Sequence, residues 1–191
     1  KKLEEEGAGA DVLKSLVEEQ IMFEADQMID SVYEPECGDY LVAALRQHKM
    51  SEYLLLIYES KKLCRIPVIA SINCYSDSEW ITFAKEIENA GADAIEINIL
   101  SLQTEAEYEW GALEMRHITI LKHIKQVVTI PVIMKLGNNL TNPVALINQL
   151  YANDAATVVL FNRFYQPDID VKKIEQTAVP VFGYSFELST A

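Results

Sequence analysis

The sequence has few cysteines and no long apolar run, and each shortage excludes a class of protein. Its three cysteines, Cys37, Cys64 and Cys74, are odd in number and lack CxxC spacing. Neither a disulfide framework nor a zinc site is therefore indicated, and we expect a reducing, cytoplasmic location. No uncharged apolar stretch reaches the ~18 residues that a transmembrane helix needs, so the sequence predicts no membrane span.

Basic residues are also scarce. The 191 residues include 16 Lys and Arg against 29 Asp and Glu, which gives a formal net charge of -13. A field of this sign repels nucleic acid and anionic membranes, so we expect neither as a partner. The three histidines are scattered, and no metal site is predicted. The remaining partner class is a small-molecule substrate, and a homodimer is the default expectation for an oligomer.

What the sequence does contain is a repeated alternation of short apolar segments and amphipathic helical patterns. The apolar segments cover residues 10–14, 67–73, 94–99, 131–136 and 157–162. Nearly continuous apolar strands of this length are typical of a parallel sheet that is covered by helices. Helical patterns lie between them at residues 51–63, 78–90, 109–127 and 143–151. Each interval between strands leaves room for a crossover helix.

The long first interval departs from this regular spacing. Residues 17–49 are acidic and helix-prone, and Pro35 and Gly38 interrupt them. We interpret this segment as a helical insertion over the mouth of a barrel. The rest of the chain shows no linker or second domain, so residues 1–191 are predicted to form one domain.

Strand and helix order alone fits either an open doubly wound sheet or a closed barrel. No GxGxxG or GxxxxGK[ST] motif follows a strand, which removes the usual phosphate-binding signatures of the open sheet. The sequence thus favours an α/β fold of the (β/α)8 TIM-barrel type. A complete barrel needs eight strands and about 250 residues. We therefore expect an incomplete barrel of about five parallel strands, entered midway through a helix at residues 1–6, with flanking strands missing.

Every predicted strand ends in polar residues. In barrels of this type the active site forms at the carboxyl ends of the strands. A single Lys or Asn at such a position is often only solvated or part of a turn. Together, however, two lysines and three asparagines on one rim would suit an electron-rich cofactor and a planar polar substrate. These residues are Lys14, Asn73, Asn98, Lys135 and Asn162.

Five segments at or around the predicted strands have distinctive sequences: residues 7–15 (GAGADVLKS), 67–71 (PVIAS), 90–98 (AGADAIEIN), 130–136 (IPVIMKL) and 160–162 (LFN). In this order they resemble successive strand motifs of the dihydroorotate dehydrogenase family. The resemblance implies an FMN-dependent TIM barrel that takes part in pyrimidine biosynthesis.

For the cofactor, the resemblance implies four contact residues. Lys14 is similar to the family lysine that touches flavin and substrate, and Ser15 follows it in the same Lys-Ser pair. Lys135 resembles the flavin-contacting lysine of the Val-Lys-Leu motif. Ser71 occupies the place of a flavin-contacting asparagine in some members. A lysine beside the flavin would stabilise the negative charge that develops on reduction.

For the substrate, the resemblance implies that Asn98 and Asn162 bind it and that Ser101 occupies the position of the catalytic base. The Pro-Asn that follows the base in the family is absent, because residues 101–103 read Ser-Leu-Gln. The predicted reaction is hydride transfer from dihydroorotate or a similar cyclic substrate to FMN. Two alternatives stay open: a degenerate, non-catalytic barrel that binds a ligand, and a flavin reductase for another enone or pyrimidine.

Overall fold

The computed structural model describes residues 1–17, 21, 24, 38–73, 77–99, 109–162, 167–170 and 175–178. Its helices are α1 (Lys2–Glu5), α2 (Gly38–Leu63), α3 (Asp77–Asn89), α4 (Ala112–Val127) and α5 (Pro143–Ala152). Its strands are β1 (Asp11–Val12), β2 (Leu16–Val17), β3 (Val68–Asn73), β4 (Ala94–Asn98), β5 (Val132–Leu136), β6 (Thr157–Leu160), β7 (Pro167–Asp170) and β8 (Glu175–Ala178). Among these described helices, none combines the length and the apolar character needed to cross a bilayer.

Strands β1 to β6 form one parallel sheet. Its order is β1-β3-β4-β5-β6, and β2 also pairs with β3. Among the described residues, α3 connects β3 to β4, α4 connects β4 to β5, and α5 connects β5 to β6, so these strands are neighbours both in sequence and in the sheet. This is the βα repetition that the apolar segments predict.

Three details differ from the sequence-based prediction. The first predicted strand is two short strands, β1 and β2, which pair with opposite ends of β3. Helix α2 begins at Gly38 instead of Ser51, so residues 38–49 of the predicted insertion form its first half. Strands β7 and β8 form an antiparallel pair that the sequence did not predict. The placement of the insertion over a barrel mouth stays a prediction, since most of residues 18–37 lie outside the described residues.

The helices cover one face of the sheet. On that face the alternate side chains of β3, β4 and β5 are fully buried, and the helices pack matching aliphatic side chains against them. The strand residues are Ala70, Ile72, Ile95, Ile97, Met134 and Leu136. The helix residues include Ile57, Ile87, Leu121, Ile124 and Leu150. Each large side chain buried in this way contributes about 1.5–3 kcal/mol through the hydrophobic effect.

A carboxylate fixes the amino-terminal end of β3. Asp93 accepts hydrogen bonds from Lys61 Nζ of α2, at 2.7 and 2.6 Å, and from the backbone N–H of Val68 at 2.7 Å. Burial alone would raise the pKa of Asp93, but the bonds from Lys61 and Val68 outweigh it and hold the pKa below its ordinary value. The contact therefore joins α2, β3 and the turn before β4.

A second carboxylate fixes the segment before β5. Glu88 Oε1 accepts bonds from the backbone N–H and hydroxyl of Thr129 at 2.6 and 2.7 Å and from the N–H of Ile130 at 3.2 Å. Its Oε2 accepts a bond from Lys85 Nζ at 2.7 Å. The bond from Lys85 and those from Thr129 lower the pKa of Glu88 to about 2. Glu88 thereby attaches the end of α3 to the start of β5.

We expect Glu88→Gln to lower the free energy of unfolding at pH 7 by about 1–2 kcal/mol, because hydrogen bonds to a charged group are replaced by weaker ones. A depressed pKa contributes stability above the unfolded-state value and loses it as pH falls toward the folded-state value. The difference between the two proteins should accordingly shrink as the pH falls from about 4.5 to about 2.

Urea unfolding across this pH range measures the effect. Glu86→Gln is the control, because Glu86 is exposed on the same helix. A pH-independent difference between wild type and Glu88→Gln would contradict the role assigned to the carboxylate.

Candidate active site

The sheet face opposite the helices is polar near the carboxyl ends of its central strands. Strand neighbours alternate between faces, so residues two apart share one face. In the register of the sheet, Ser71 of β3 is opposite Glu96 of β4, and Asn98 of β4 is opposite Lys135 of β5. These four side chains thus form two adjacent polar rows. The exposed fractions of Ser71, Glu96 and Asn98 are 1%, 4% and 8%, so these polar groups are buried and each one that stays unpaired costs free energy.

A line of contacts connects four side chains across this face. The hydroxyls of Ser15 and Ser71 are 2.7 Å apart, and Ser71 Oγ donates to Glu96 Oε1 at 2.8 Å. Lys135 Nζ lies 3.5 Å from the same carboxylate oxygen. We call these four residues, Ser15, Ser71, Glu96 and Lys135, the Ser15–Lys135 network. It joins the residue before β2 to β5 and fixes the direction of each side chain.

The side-chain amide of Asn98 has a hydrogen-bond acceptor that no described residue satisfies. In the part of the chain that the structure describes, its buried Oδ1 atom has no hydrogen-bond partner. A buried acceptor without a partner costs about 1–3 kcal/mol. A ligand that offers an N–H or O–H group to Asn98 would recover that cost, which makes this row a candidate binding position.

Tyr53 of α2 completes the hydrogen bonding of β3 where β1 and β2 separate. Its hydroxyl accepts from the backbone N–H of Ser71 at 2.8 Å and donates to the backbone C=O of Ser71 at 2.9 Å. Burial raises the pKa of Tyr53 to about 12, so the phenol keeps the proton that it donates. Tyr53 therefore holds the backbone of Ser71 in place.

Replacing Tyr53 with Phe should leave both backbone groups of Ser71 buried and unpaired. We expect the free energy of unfolding to fall by about 2–4 kcal/mol, since each such group costs on the order of 1–3 kcal/mol. Urea unfolding measures this loss. Tyr40→Phe, on an exposed tyrosine of the same helix, should change it by less than about 0.5 kcal/mol. Equal effects of the two substitutions would refute the role of the Tyr53 hydroxyl.

Lys14 lies at the edge of this region. Its exposed side chain lines a cavity of about 220 Å³ together with Ser15 and Tyr53. The cavity also contains Lys49, whose ammonium group is paired with Glu24 at 2.9 Å. Lys14 forms no ion pair with any described residue.

The other predicted site residues are placed as follows. Asn162 lies just beyond β6, and its backbone N–H donates to the C=O of Leu136 at 2.6 Å, one residue after Lys135. Ser101 lies outside the described residues. Of the predicted residues, the structure therefore brings Ser15, Ser71, Asn98 and Lys135 into one region, with Lys14 and Asn162 at its two sides.

Sequence reasoning missed two residues of this region, Glu96 and Tyr53. Glu96 carried a usable signal, because a charged residue inside an otherwise apolar strand must find a partner when it is buried. Tyr53 carried none, since it is one of several aromatic and aliphatic residues along a helix. Within the described residues no group of three or more His, Cys, Asp or Glu side chains is arranged to hold a metal ion.

The chain is similar in sequence to known enzyme subunits, at identities below 30%. No family model matches the chain. The chain is 29% identical over 120 residues to the catalytic subunit of dihydroorotate dehydrogenase B (NAD(+)) from Geobacillus sp.. The matched residues are 62% of this chain and 37% of the relative. The corresponding subunit from Thermoplasma volcanium is 28% identical over 178 residues, 90% of this chain and 55% of the relative. The chain thus spans about half, or less, of these relatives.

Among solved structures, a putative dihydrodipicolinate synthetase from Pseudomonas aeruginosa matches 82% of this chain and 46% of its own, with a TM-score of 0.52 and 15% identity. At this identity the likeness concerns the fold alone. Together with the parallel βα order, it confirms the predicted fold class: the described chain is an incomplete (β/α)8 TIM barrel.

Proposed function

We propose that this chain forms the central part of an FMN-dependent oxidoreductase of the dihydroorotate dehydrogenase type, which moves a hydride from dihydroorotate or a similar cyclic substrate to the flavin. The observation that carries the proposal is the position of Asn98 opposite Lys135 in the strand register, on one polar face at the carboxyl ends of neighbouring strands. Sequence similarity to two dihydroorotate dehydrogenase B subunits supports the same reaction class.

The residues present fit a flavin in their donor chemistry. When bound, FMN supplies the hydride acceptor and gains negative charge in the process. Lys135 can offset that charge, because its ammonium group is already fixed by Glu96 at 3.5 Å. Lys14 adds a second cation at the cavity beside Ser15. The hydroxyl of Ser71 is engaged with Glu96, so Ser71 supports this site through the position of its neighbours.

We assign the orientation of the substrate to the side-chain amides of Asn98 and Asn162. A cyclic imide or amide bears alternating C=O and N–H groups, and an Asn side chain can donate to one and accept from the other. The Oδ1 of Asn98, which has no partner among the described residues, is suited to such an N–H group. Asn162, beside the end of β5, is the second proposed contact. Ser101 stays the base that the family resemblance implies.

An anaerobic reduction experiment tests the proposal. The protein is incubated with FMN, freed of excess cofactor, and mixed with dihydroorotate while the flavin absorbance is followed. We expect yellow protein whose absorbance is bleached. Lys135→Gln should slow the bleaching by about 10²-fold, the usual effect of removing one group that stabilises developing charge.

Lys122→Gln is the matched control, because Lys122 is exposed on α4. It should behave like the wild type. Protein that binds no flavin would favour a degenerate ligand-binding barrel, and yellow protein that dihydroorotate does not bleach would favour a flavin reductase for another substrate. Equal rates for wild type and Lys135→Gln would refute the role of Lys135.

A further inference from the structure

The polar face of the sheet carries one formal charge of each sign. In the register of β3 to β6, the residues that share this face with Ser71 are alternate positions of each strand. Two of these positions are charged, Glu96 and Lys135, and Lys135 Nζ lies 3.5 Å from Glu96 Oε1. The other positions of these four strands on this face carry apolar, hydroxyl or amide side chains. The face that β3 to β6 present is therefore formally neutral.

This neutral pair is poorly suited to a second negative charge. Glu96 comes two residues before Asn98 on the same strand and face, so a ligand group bound at Asn98 lies roughly 7 Å from it along the strand. Glu96 is buried, and water screens charges weakly in such surroundings. A carboxylate placed there would have to share Lys135 with Glu96. The overall charge of -13 acts against such a ligand in the same direction.

The hydrogen-bonding capacity of the same row favours a neutral donor. Oδ1 of Asn98 is a buried acceptor that has no partner among the described residues. A ring N–H of a cyclic imide can donate to it and carries no charge. Such a group satisfies the acceptor and leaves the pairing of Glu96 with Lys135 undisturbed.

Lys14 does not alter this balance. It lines the cavity between α2 and residues 14–17, and neither Asn98 nor Lys135 lines that cavity. In the proposed function Lys14 belongs to the cofactor. The charges closest to the substrate position in the described strands are thus those of Glu96 and Lys135.

We infer that the preferred substrate of this site is an uncharged dihydropyrimidine, a cyclic imide with ring N–H groups and without the ring carboxylate of dihydroorotate. The inference rests on the proposed function and names which of its substrates the site prefers. The reaction is the same for both. One ring carbon loses a proton to the base, and the electron pair left behind forms the C=C bond. The hydrogen on the adjacent carbon leaves with its own electron pair as hydride to FMN, so no further reactant is needed.

A matched pair of compounds tests the preference, because dihydrouracil and dihydroorotate differ by one carboxylate. FMN-loaded protein is mixed anaerobically with each compound, and the rate of flavin bleaching is measured at low substrate concentration. Dihydrouracil should give a second-order rate constant at least about tenfold higher, which corresponds to about 1.4 kcal/mol. Calorimetric titration with uracil and orotate, which cannot donate the hydride, should give the same order of affinities.

Glu96→Gln tests the cause of the preference. The amide keeps an oxygen that can accept from Ser71, but it removes the negative charge and leaves Lys135 unmatched. The ratio of the two rate constants should shift toward dihydroorotate by about tenfold, a coupling of about 1.4 kcal/mol. Glu86→Gln is the matched control, because it removes the same charge from an exposed position of α3 and should leave the ratio unchanged.

The outcomes separate the inference from the proposed function. Wild-type protein that dihydroorotate reduces as fast as dihydrouracil, or faster, would overturn the inference and leave the proposed function standing. This comparison needs no variant, so it holds even if Glu96→Gln does not fold. A folded Glu96→Gln protein with the wild-type ratio would also overturn the inference. FMN-loaded protein that neither compound reduces would overturn the proposed function, whereas tighter binding of uracil than of orotate would still support the charge preference.

Discussion

The polar face of the sheet depends on the burial of one carboxylate, that of Glu96. Burying an ionised carboxylate costs several kcal/mol unless hydrogen bonds and an opposite charge compensate for it. Ser71 and Lys135 supply both, from the strands on either side. Because the carboxylate fixes their directions, the neighbouring row that contains Asn98 is bounded by side chains that cannot rotate freely. A polar surface of defined shape follows from this single electrostatic requirement.

The two ends of the strands use polar groups differently. At the amino-terminal ends, Asp93 and Glu88 are fully engaged by backbone and lysine donors, and they join helices to the strands that follow. At the carboxyl ends, Asn98 keeps an acceptor without a partner among the described residues. The first arrangement stabilises the fold, and the second leaves binding capacity for a ligand. This division agrees with the general separation of stability and activity between the two faces of barrels.

The sequence predicted those parts of the structure that depend on local patterns. Strands β3, β4 and β5 lie within one residue of the predicted segments, because continuous apolar runs bounded by turns define them well. The split between β1 and β2 could not be predicted, since the group that bonds to β3 between them is a hydroxyl from a helix distant in sequence. Likewise, Asn98 and Lys135 could be selected as strand-end residues, whereas the role of Glu96 requires the register that places it opposite Ser71.

The two hydrogen bonds of Tyr53 have a consequence for the mechanics of the barrel. At this point the phenol acts as a surrogate peptide group, presenting one donor and one acceptor to β3 where the neighbouring strand is interrupted between β1 and β2. Successive residues of a helix are separated by about 100° around its axis, so a rotation of α2 by one residue would carry the oxygen away from the sheet. The rotation of α2 about its own axis is therefore coupled to the strand register. The two bonds of Tyr53 fix the longest helix of the described chain to the sheet in one orientation.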